Sequence, residues 1–154
     1  MRVTLVLVAL LTLGLIACTD DGAGNEVVEE TPTITSESRP PPASAEPTVT
    51  ASGLQIIEIV VGSGATAEAG GRVTVHYTGW LADGTQFDSS LGGDSITFPL
   101  EGLIPGWQEG IPGMQVGGKR RLIIPSELAY GDVEQTGIPP NSTLTFDIEL
   151  LDVQ

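Results

Sequence analysis

The chain holds few side chains that could perform covalent or metal chemistry. Its 154 residues include one histidine, His76, and one cysteine, Cys18. No nucleophile is evident beside a candidate base, and one histidine with scattered carboxylates is a poor ligand set for a metal ion. We therefore expect no metal site and no cofactor, and we interpret His76 as a structural or exposed residue. What remains is a set of aromatic residues beside a carboxylate, which is suited to binding an apolar group.

Residues 73–90, VTVHYTGWLADGTQFDSS, predict a β-hairpin that gathers such a set. Apolar and polar residues alternate from 73 to 78, which is the pattern of a half-buried strand. Asp83-Gly84 tolerates the positive φ values of a tight turn, so residues 85–88 should return as a second strand. This hairpin would bring Tyr77, Phe87 and Asp88 into one region.

The rest of the folded part reads as further strands and one short helix. Pro105 is suited to the first position of that helix, Trp107 would face the sheet, and Gly110 and Pro112 would end it. The pattern predicts an α+β fold, in which a curved antiparallel β-sheet wraps around one short α-helix. Turns rich in Gly, Pro and Asp separate the predicted strands, which are residues 54–61, 72–79, 85–88, 96–100, 119–125 and 143–152.

The hairpin sequence resembles the FKBP-type peptidyl-prolyl cis-trans isomerases, and further blocks in the family's order extend the resemblance. One block such as AYG would be weak evidence, whereas five blocks in register make coincidence a poor explanation. The resemblance covers residues 53–154 and implies an FKBP-like fold with isomerase activity. The five blocks are GWQEG at 106–110, residues 117–125, AYG at 129–131, IPP at 138–140 and LTFDIELLDV at 144–153.

The resemblance also implies roles for ten residues around one aromatic cavity. Asp88 would supply an acceptor near the twisted amide, and the Tyr130 hydroxyl would donate to a substrate carbonyl, so these two are the predicted catalytic residues. The Ile104 backbone N–H would donate to a substrate carbonyl as well. The predicted substrate-binding residues form the floor, walls, edge and flap side of the cavity: Trp107, Tyr77, Phe87, Phe98, Phe146, Leu103, Ile104 and Ile138.

Two departures from the family pattern concern the electrostatics and the flap. The loop after Ser90 reads LGGD and offers no arginine to pair with Asp88. Between Tyr130 and Ile138 the flap reads GDVEQTG, without the histidine often found there.

Prolyl isomerisation needs no nucleophile or metal, because no covalent bond is broken. The barrier is rotation about a C–N bond with partial double-bond character and amounts to about 18–20 kcal/mol. The planar amide is more charge-separated than the twisted one, so transfer into an apolar cavity disfavours the planar ground state. Fixed hydrogen bonds can then select the twisted form.

The N-terminus predicts export and lipid anchoring. Residues 1–17 read as a lipoprotein signal peptide, because an apolar run follows Arg2 and Leu15-Ile16-Ala17-Cys18 resembles a bacterial lipobox. Cys18 would then carry the lipid and hold the protein on the outer side of a membrane, and Thr19 favours the outer membrane where the source has one. An ordinary secretory signal and an uncleaved anchor are the alternatives.

Residues 18–52 are predicted to be a disordered tether rich in Pro, Thr, Ser and Glu. From Thr19 onward this stretch has no aromatic residue, so it cannot bury enough apolar surface to offset the entropy of ordering. A proline-rich ligand for another domain is the alternative interpretation. The formal charge of −14 argues against nucleic-acid binding, and a monomer is the default expectation.

Three functions are compatible with these patterns. The first is an extracytoplasmic isomerase that accelerates X-Pro rotation in exported proteins, with macrolide inhibitors as expected ligands. The second is a non-enzymatic module on the cell surface that holds proline-containing segments. The third is a general holdase chaperone, which the short flap disfavours. Retention of Tyr77, Asp88, Trp107 and Tyr130 together favours the isomerase.

Overall fold

The structure, a computed structural model, describes residues 45–154. The predicted signal peptide at 1–17, Cys18 and the predicted tether up to residue 44 lie outside the described residues. Within the described range no helix is long and apolar enough to cross a membrane.

Seven strands form one antiparallel sheet in the order β1-β2-β6-β7-β3-β4, with β5 also paired to β3. Every strand predicted from the sequence is present, with ends shifted by at most two residues. The strands are β1 (Thr48–Val49), β2 (Gln55–Val60), β3 (Arg72–Leu81), β4 (Gln86–Ser89), β5 (Ile96–Pro99), β6 (Lys119–Ile124) and β7 (Leu144–Val153).

The predicted hairpin is confirmed. Strands β3 and β4 pair in antiparallel orientation. Gly84 takes φ +89°, which a residue with a side chain rarely adopts, so a glycine suits this turn. Asp83 Oδ1 accepts a hydrogen bond from the Thr85 N–H at 2.8 Å, and this bond lowers the pKa of the Asp83 carboxyl.

Helix α1 (Pro105–Gly110) is the only α-helix of residues 45–154, and it packs on the inner face of the sheet. Pro105 occupies the first turn as predicted. Glycines allow the close approach of this helix to β6, because a Cβ at Gly110 would lie 2.6 Å from Leu122. Short 3-10 turns also occur at Leu100–Gly102 and Ser126–Leu128.

The folded region begins before residue 53, where the sequence placed its boundary. Strand β1 pairs with Gln55 and Ile56 of β2, inside the segment predicted to be disordered tether. The Thr50 N–H donates to the Leu54 carbonyl at 2.9 Å and closes the turn between the two strands. The Ser52 hydroxyl also donates to the Glu109 carboxylate on α1, at 2.8 Å. A two-residue strand has no periodic pattern, so its existence depends on the partner strand and not on local sequence.

Candidate active site

A cavity of about 190 Å³ lies on the inner face of the sheet, next to α1. This volume is below the roughly 300–1,000 Å³ of pockets that bury drug-sized ligands, so the cavity suits one ring or side chain. Asp88 is the only charged residue that lines it. The lining residues are Tyr77, Phe87, Asp88, Phe98, Leu103, Ile104, Trp107, Tyr130 and Phe146.

Strand β3 brings the aromatic walls together because it pairs with three other strands. Its first half pairs with β5, which places Phe98 opposite Val73. Its second half pairs with β4 on the same edge, and β7 runs along the other edge with Phe146 opposite Gly79. Three other strands, β4, β5 and β7, thus supply the rings around Tyr77.

A β-bulge explains how Phe87 and Asp88, which are neighbours in sequence, both line the same cavity. Successive residues of a regular strand point to opposite faces of the sheet. Here Gly79 pairs with Asp88 whereas Trp80 pairs with Gln86, so Phe87 is an extra residue on β4. Such a bulge redirects a side chain and increases the local twist. The ring and the carboxylate therefore reach one site.

Trp107 forms the centre of the aromatic cluster. Only 4% of its surface is exposed. Its ring meets three others edge to face, with centroids 5.4 Å from Tyr77, 6.0 Å from Phe98 and 5.3 Å from Phe146. Edge-to-face contact places the positive ring edge against the negative face of a neighbour and favours a fixed arrangement. The indole therefore makes a rigid apolar base for the cavity.

The loop before α1 supplies the edge of the cavity. Leu103 and Ile104 follow a 3-10 turn, and the Gln108 side-chain amide donates to the Leu103 carbonyl at 2.7 Å. The Ile104 carbonyl accepts the Trp107 N–H at 2.9 Å at the start of the helix. The Ile104 N–H itself donates to no group within residues 45–154. It therefore remains available as a donor beside the cavity.

A hydrogen bond fixes the carboxylate. The Tyr77 hydroxyl donates to Asp88 Oδ2 at 2.6 Å. Burial, this hydrogen bond and the negative charge of Asp88 together raise the pKa of Tyr77 well above its usual value, with burial as the largest cause. Tyr77 is consequently a neutral donor throughout the physiological pH range, and one oxygen of Asp88 is committed to it.

Tyr130 stands at the mouth of the cavity. It is 37% exposed and follows the 3-10 turn at Ser126–Leu128. Backbone hydrogen bonds hold the next residue, because the Gly131 N–H donates to Ser126 at 2.8 Å and its carbonyl accepts from Asn141 at 2.7 Å. The Tyr130 hydroxyl makes no hydrogen bond within the described part of the chain. It can therefore donate to a bound group.

Nine of the ten residues predicted for the cavity line it, and all nine lining residues belong to the predicted set. The exception is Ile138, which was expected on the flap side. Its side chain is 6% exposed and belongs to the hydrophobic core. The flap folds back on itself between Gln135 and Ile138, whose backbones exchange hydrogen bonds of 2.9 and 3.1 Å. Ile138 thus lies in the same hydrophobic core as the cavity residues Trp107 and Phe146, and its role on the flap side stays a prediction.

A larger cavity, of about 390 Å³, was not predicted from the sequence. Its lining includes His76, Thr78 and Trp80, which alternate along β3 with inner-face residues. His76 Nδ1 lies 3.1 Å from the Ser90 hydroxyl. The lining includes the charged residues Lys119, Asp147 and Glu149, so this cavity is less suited to an apolar group than the aromatic one. Within residues 45–154, no group of three or more His, Cys, Asp or Glu could hold a metal ion.

Comparison with known proteins assigns the chain to a family. The family described as FKBP-type peptidyl-prolyl cis-trans isomerase matches residues 63–151. FkpA of Escherichia coli K12 is 50% identical over 101 residues, which cover 65% of this chain and 37% of FkpA. The chain thus spans well under half the length of that relative. An FK506-binding protein of Neisseria meningitidis serogroup B is 50% identical over 105 residues, covering 66% of this chain and 96% of that protein.

Solved structures agree with this assignment. The crystal structure of Escherichia coli FkpA aligns with a TM-score of 0.67 and 46% identity, over 70% of this chain and 51% of that one. The crystal structure of AtFKBP13 aligns with a TM-score of 0.65 and 42% identity, over 71% of this chain and all of that one. The sequence match, the shared fold and the aromatic cavity agree: the chain belongs to the FKBP-type peptidyl-prolyl cis-trans isomerase family.

Proposed function

We propose that this chain accelerates cis-trans rotation about X-Pro peptide bonds in exported polypeptides. The observation that carries the proposal is the small aromatic cavity with a single hydrogen-bonded carboxylate. A cavity of this size accepts a prolyl ring, and rings on several sides exclude water from it. Neither a nucleophile nor a metal ion is required, because the reaction only rotates a C–N bond.

The apolar walls supply part of the catalysis. In water, hydrogen bonds stabilise the planar and charge-separated amide. Removal of that water raises the energy of the ground state relative to the twisted transition state, in which the amide resonance is lost. Trp107 would lie under the prolyl ring, with Tyr77, Phe87, Phe98 and Phe146 as walls and Leu103 at the edge. A fixed aromatic frame needs no reorganisation as the bond rotates.

Two donors with no internal partner would hold the peptide on either side of the rotating bond. The Ile104 N–H and the Tyr130 hydroxyl make no hydrogen bond within the described range. We assign both to substrate carbonyls. Anchoring the flanking carbonyls would let the prolyl side of the bond stay in the cavity while the other side rotates. Binding energy would then favour the twisted geometry over either planar isomer.

Asp88 would act as the acceptor near the twisted amide. When resonance is lost, the prolyl nitrogen becomes pyramidal, and the dipole of the amide changes accordingly. A carboxylate held by Tyr77 at 2.6 Å is already oriented before the substrate enters. No arginine or lysine lines the cavity, so the Tyr77 hydroxyl is the group that fixes this charge.

The test is a protease-free measurement of cis-to-trans relaxation in a proline peptide. The wild-type protein should accelerate relaxation, and Asp88→Ala and Tyr130→Phe should each reduce kcat/KM by about tenfold or more, which corresponds to about 1.4 kcal/mol of transition-state stabilisation. Asp94→Ala is the matched control, because this exposed carboxylate does not line the cavity. A folded wild-type protein that binds the peptide without accelerating relaxation would indicate the non-enzymatic binding module instead.

We also propose the setting and a ligand class. Export and acylation of Cys18 would place the catalytic domain outside the cytoplasm on a tether, and the sequence motif at residues 15–18 supports this. In cells, the wild-type chain should fractionate with membranes, whereas Cys18→Ser should appear in the soluble fraction. A relative carries the name FK506-binding protein, so we propose that macrolides of that class compete with peptide for the cavity.

A further inference from the structure

Gly79 lies in the second half of β3, inside the strand, where a glycine weakens the strand and needs an explanation. Its φ is not in the left-handed region, so the backbone conformation does not demand glycine. The residue faces the cavity side of the sheet, with Asp88 opposite on β4 and Phe146 opposite on β7. Residues of the candidate site therefore flank Gly79 on both neighbouring strands.

Two aromatic rings occupy the space that a side chain at this position would fill. A Cβ added to Gly79 would lie 2.6 Å from Phe87 Cζ, 3.1 Å from Phe87 Cε1 and 2.8 Å from Phe146 Cε1. Ordinary contact begins near 3.4 Å. The Phe87 ring would have to move by about 0.8 Å to restore that separation. The two rings meet edge to face directly over this glycine, with centroids 5.5 Å apart at 90°.

The two rings differ in how far they can move. Phe146 is 5% exposed and also packs edge to face on Trp107 at 5.3 Å. Phe87 is only half-buried and sits on the bulge of the short edge strand β4. A side chain at position 79 would therefore displace Phe87, which is the wall next to Asp88.

We propose that Gly79 is a positioning residue for the isomerase site: its missing side chain allows Phe87 and Phe146 to form one wall and sets the width of the cavity beside Asp88. This inference rests on the proposed function. Gly79 touches no substrate and acts through the two rings. The cavity width would in turn select the size of the group that enters, with proline-sized rings accepted and larger ones rejected.

The experiment is a double-mutant cycle in the full-length chain between Gly79→Ala and Phe87→Leu, with Gly110→Ala as the matched control. A Cβ at Gly110 meets Leu122 at the same 2.6 Å, and neither residue lines the cavity. For each variant, unfolding by urea, peptide Kd, and kcat and KM for relaxation are measured. Leucine does not reach as far as the tip of the phenylalanine ring, so Phe87→Leu relieves the closest contact. The double variant should therefore fold even where Gly79→Ala alone folds poorly.

The expected result is a coupling between positions 79 and 87. Gly79→Ala should raise peptide Kd and KM at least fivefold, and in the Phe87→Leu background the same change should raise them by a smaller factor, because only the approach to Phe146 remains. Gly110→Ala should lower the urea midpoint and leave Kd and KM within twofold. Equal effects of Gly79→Ala in both backgrounds, or a lower urea midpoint with unchanged Kd and KM, would overturn the inference.

The proposed function can fail separately. If the wild-type protein binds peptide without accelerating relaxation, the double-mutant cycle is evaluated from peptide Kd alone. If it does neither, the nuclear magnetic resonance spectrum of the free protein decides. Gly79→Ala should then shift the ring signals of Phe87 and Phe146, whereas Gly110→Ala should leave these signals at their wild-type positions. Unshifted rings in a folded Gly79→Ala protein would overturn the role of Gly79.

Discussion

Replacement of Tyr77 by phenylalanine isolates the hydrogen bond that holds Asp88, the proposed catalytic carboxylate. The ring and its contacts with Trp107 remain, while the 2.6 Å bond to Asp88 is lost. Hydrogen bonds to charged groups contribute about 1.5–3 kcal/mol, and water at the exposed carboxylate replaces part of this one. We therefore expect the free energy of unfolding to fall by about 1 kcal/mol. A comparable loss of orientation at Asp88 would lower kcat/KM by about fivefold.

The pH dependence gives a second and independent readout of the same bond. The pKa of Tyr77 is raised in the folded protein, while in the unfolded chain it is about 10. Such a group contributes stability that is complete below the unfolded pKa and is lost as the pH rises through the folded pKa. The wild-type protein should thus lose stability above pH of about 10. Tyr77→Phe cannot ionise, so its deficit relative to the wild type should shrink there.

The assay is urea unfolding between pH 7 and 11, with peptide relaxation measured at pH 7 to 8. Tyr130→Phe is the matched control: it removes a cavity hydroxyl that has no hydrogen-bond partner within residues 45–154, so stability should change little while relaxation slows. A stability difference between wild type and Tyr77→Phe that stays constant up to pH 11, together with unchanged kcat/KM, would refute the reasoning.

Three further changes test the fold around the site. Trp107→Leu should lower the free energy of unfolding by about 2–4 kcal/mol in urea, because three edge-to-face contacts are lost and a void remains; a smaller loss than about 1 kcal/mol would contradict the packing. Asp147→Ala should lower the free energy of unfolding by about 3–5 kcal/mol, because it removes the carboxylate that is paired with the buried Arg121 guanidinium, and peptide Kd should not change. Deleting residues 45–52 should lower the free energy of unfolding by about 1 kcal/mol through loss of β1 and its turn. An unchanged urea midpoint would instead support a domain that begins at residue 53.

The strands and the helix could be predicted because their signals are local. Alternation defines β3, Asp83-Gly84 defines its turn, and Pro105 defines the start of α1. The lining of the cavity followed from the family resemblance, since no local rule states that Phe98 and Phe146 meet. The role of Ile138 on the flap side stays a prediction, because its side chain lies in the core that Trp107 and Phe146 share.

The bulge at Phe87 could not be predicted, because it is a property of two strands and not of one. Regular alternation would have placed Phe87 and Asp88 on opposite faces of the sheet. Only the pairing of Gly79 with Asp88 and of Trp80 with Gln86 reveals the extra residue. The signal that could have suggested it is the glycine at position 79, since a glycine inside a strand pattern indicates a bulge or a close approach.

Asp88, the proposed catalytic carboxylate of this acidic chain, has no cation beside it in the cavity lining. Among the described residues, Arg120 pairs with Glu58 and Arg121 with Asp147, and no lysine or arginine lines the cavity. Asp88 is therefore oriented by a neutral hydroxyl instead of a salt bridge. A cation beside the carboxylate would neutralise its field at the amide, whereas the Tyr77 hydroxyl fixes its direction and leaves its charge in place. The bulge, the glycine beneath it and this hydrogen bond thus act together on one group.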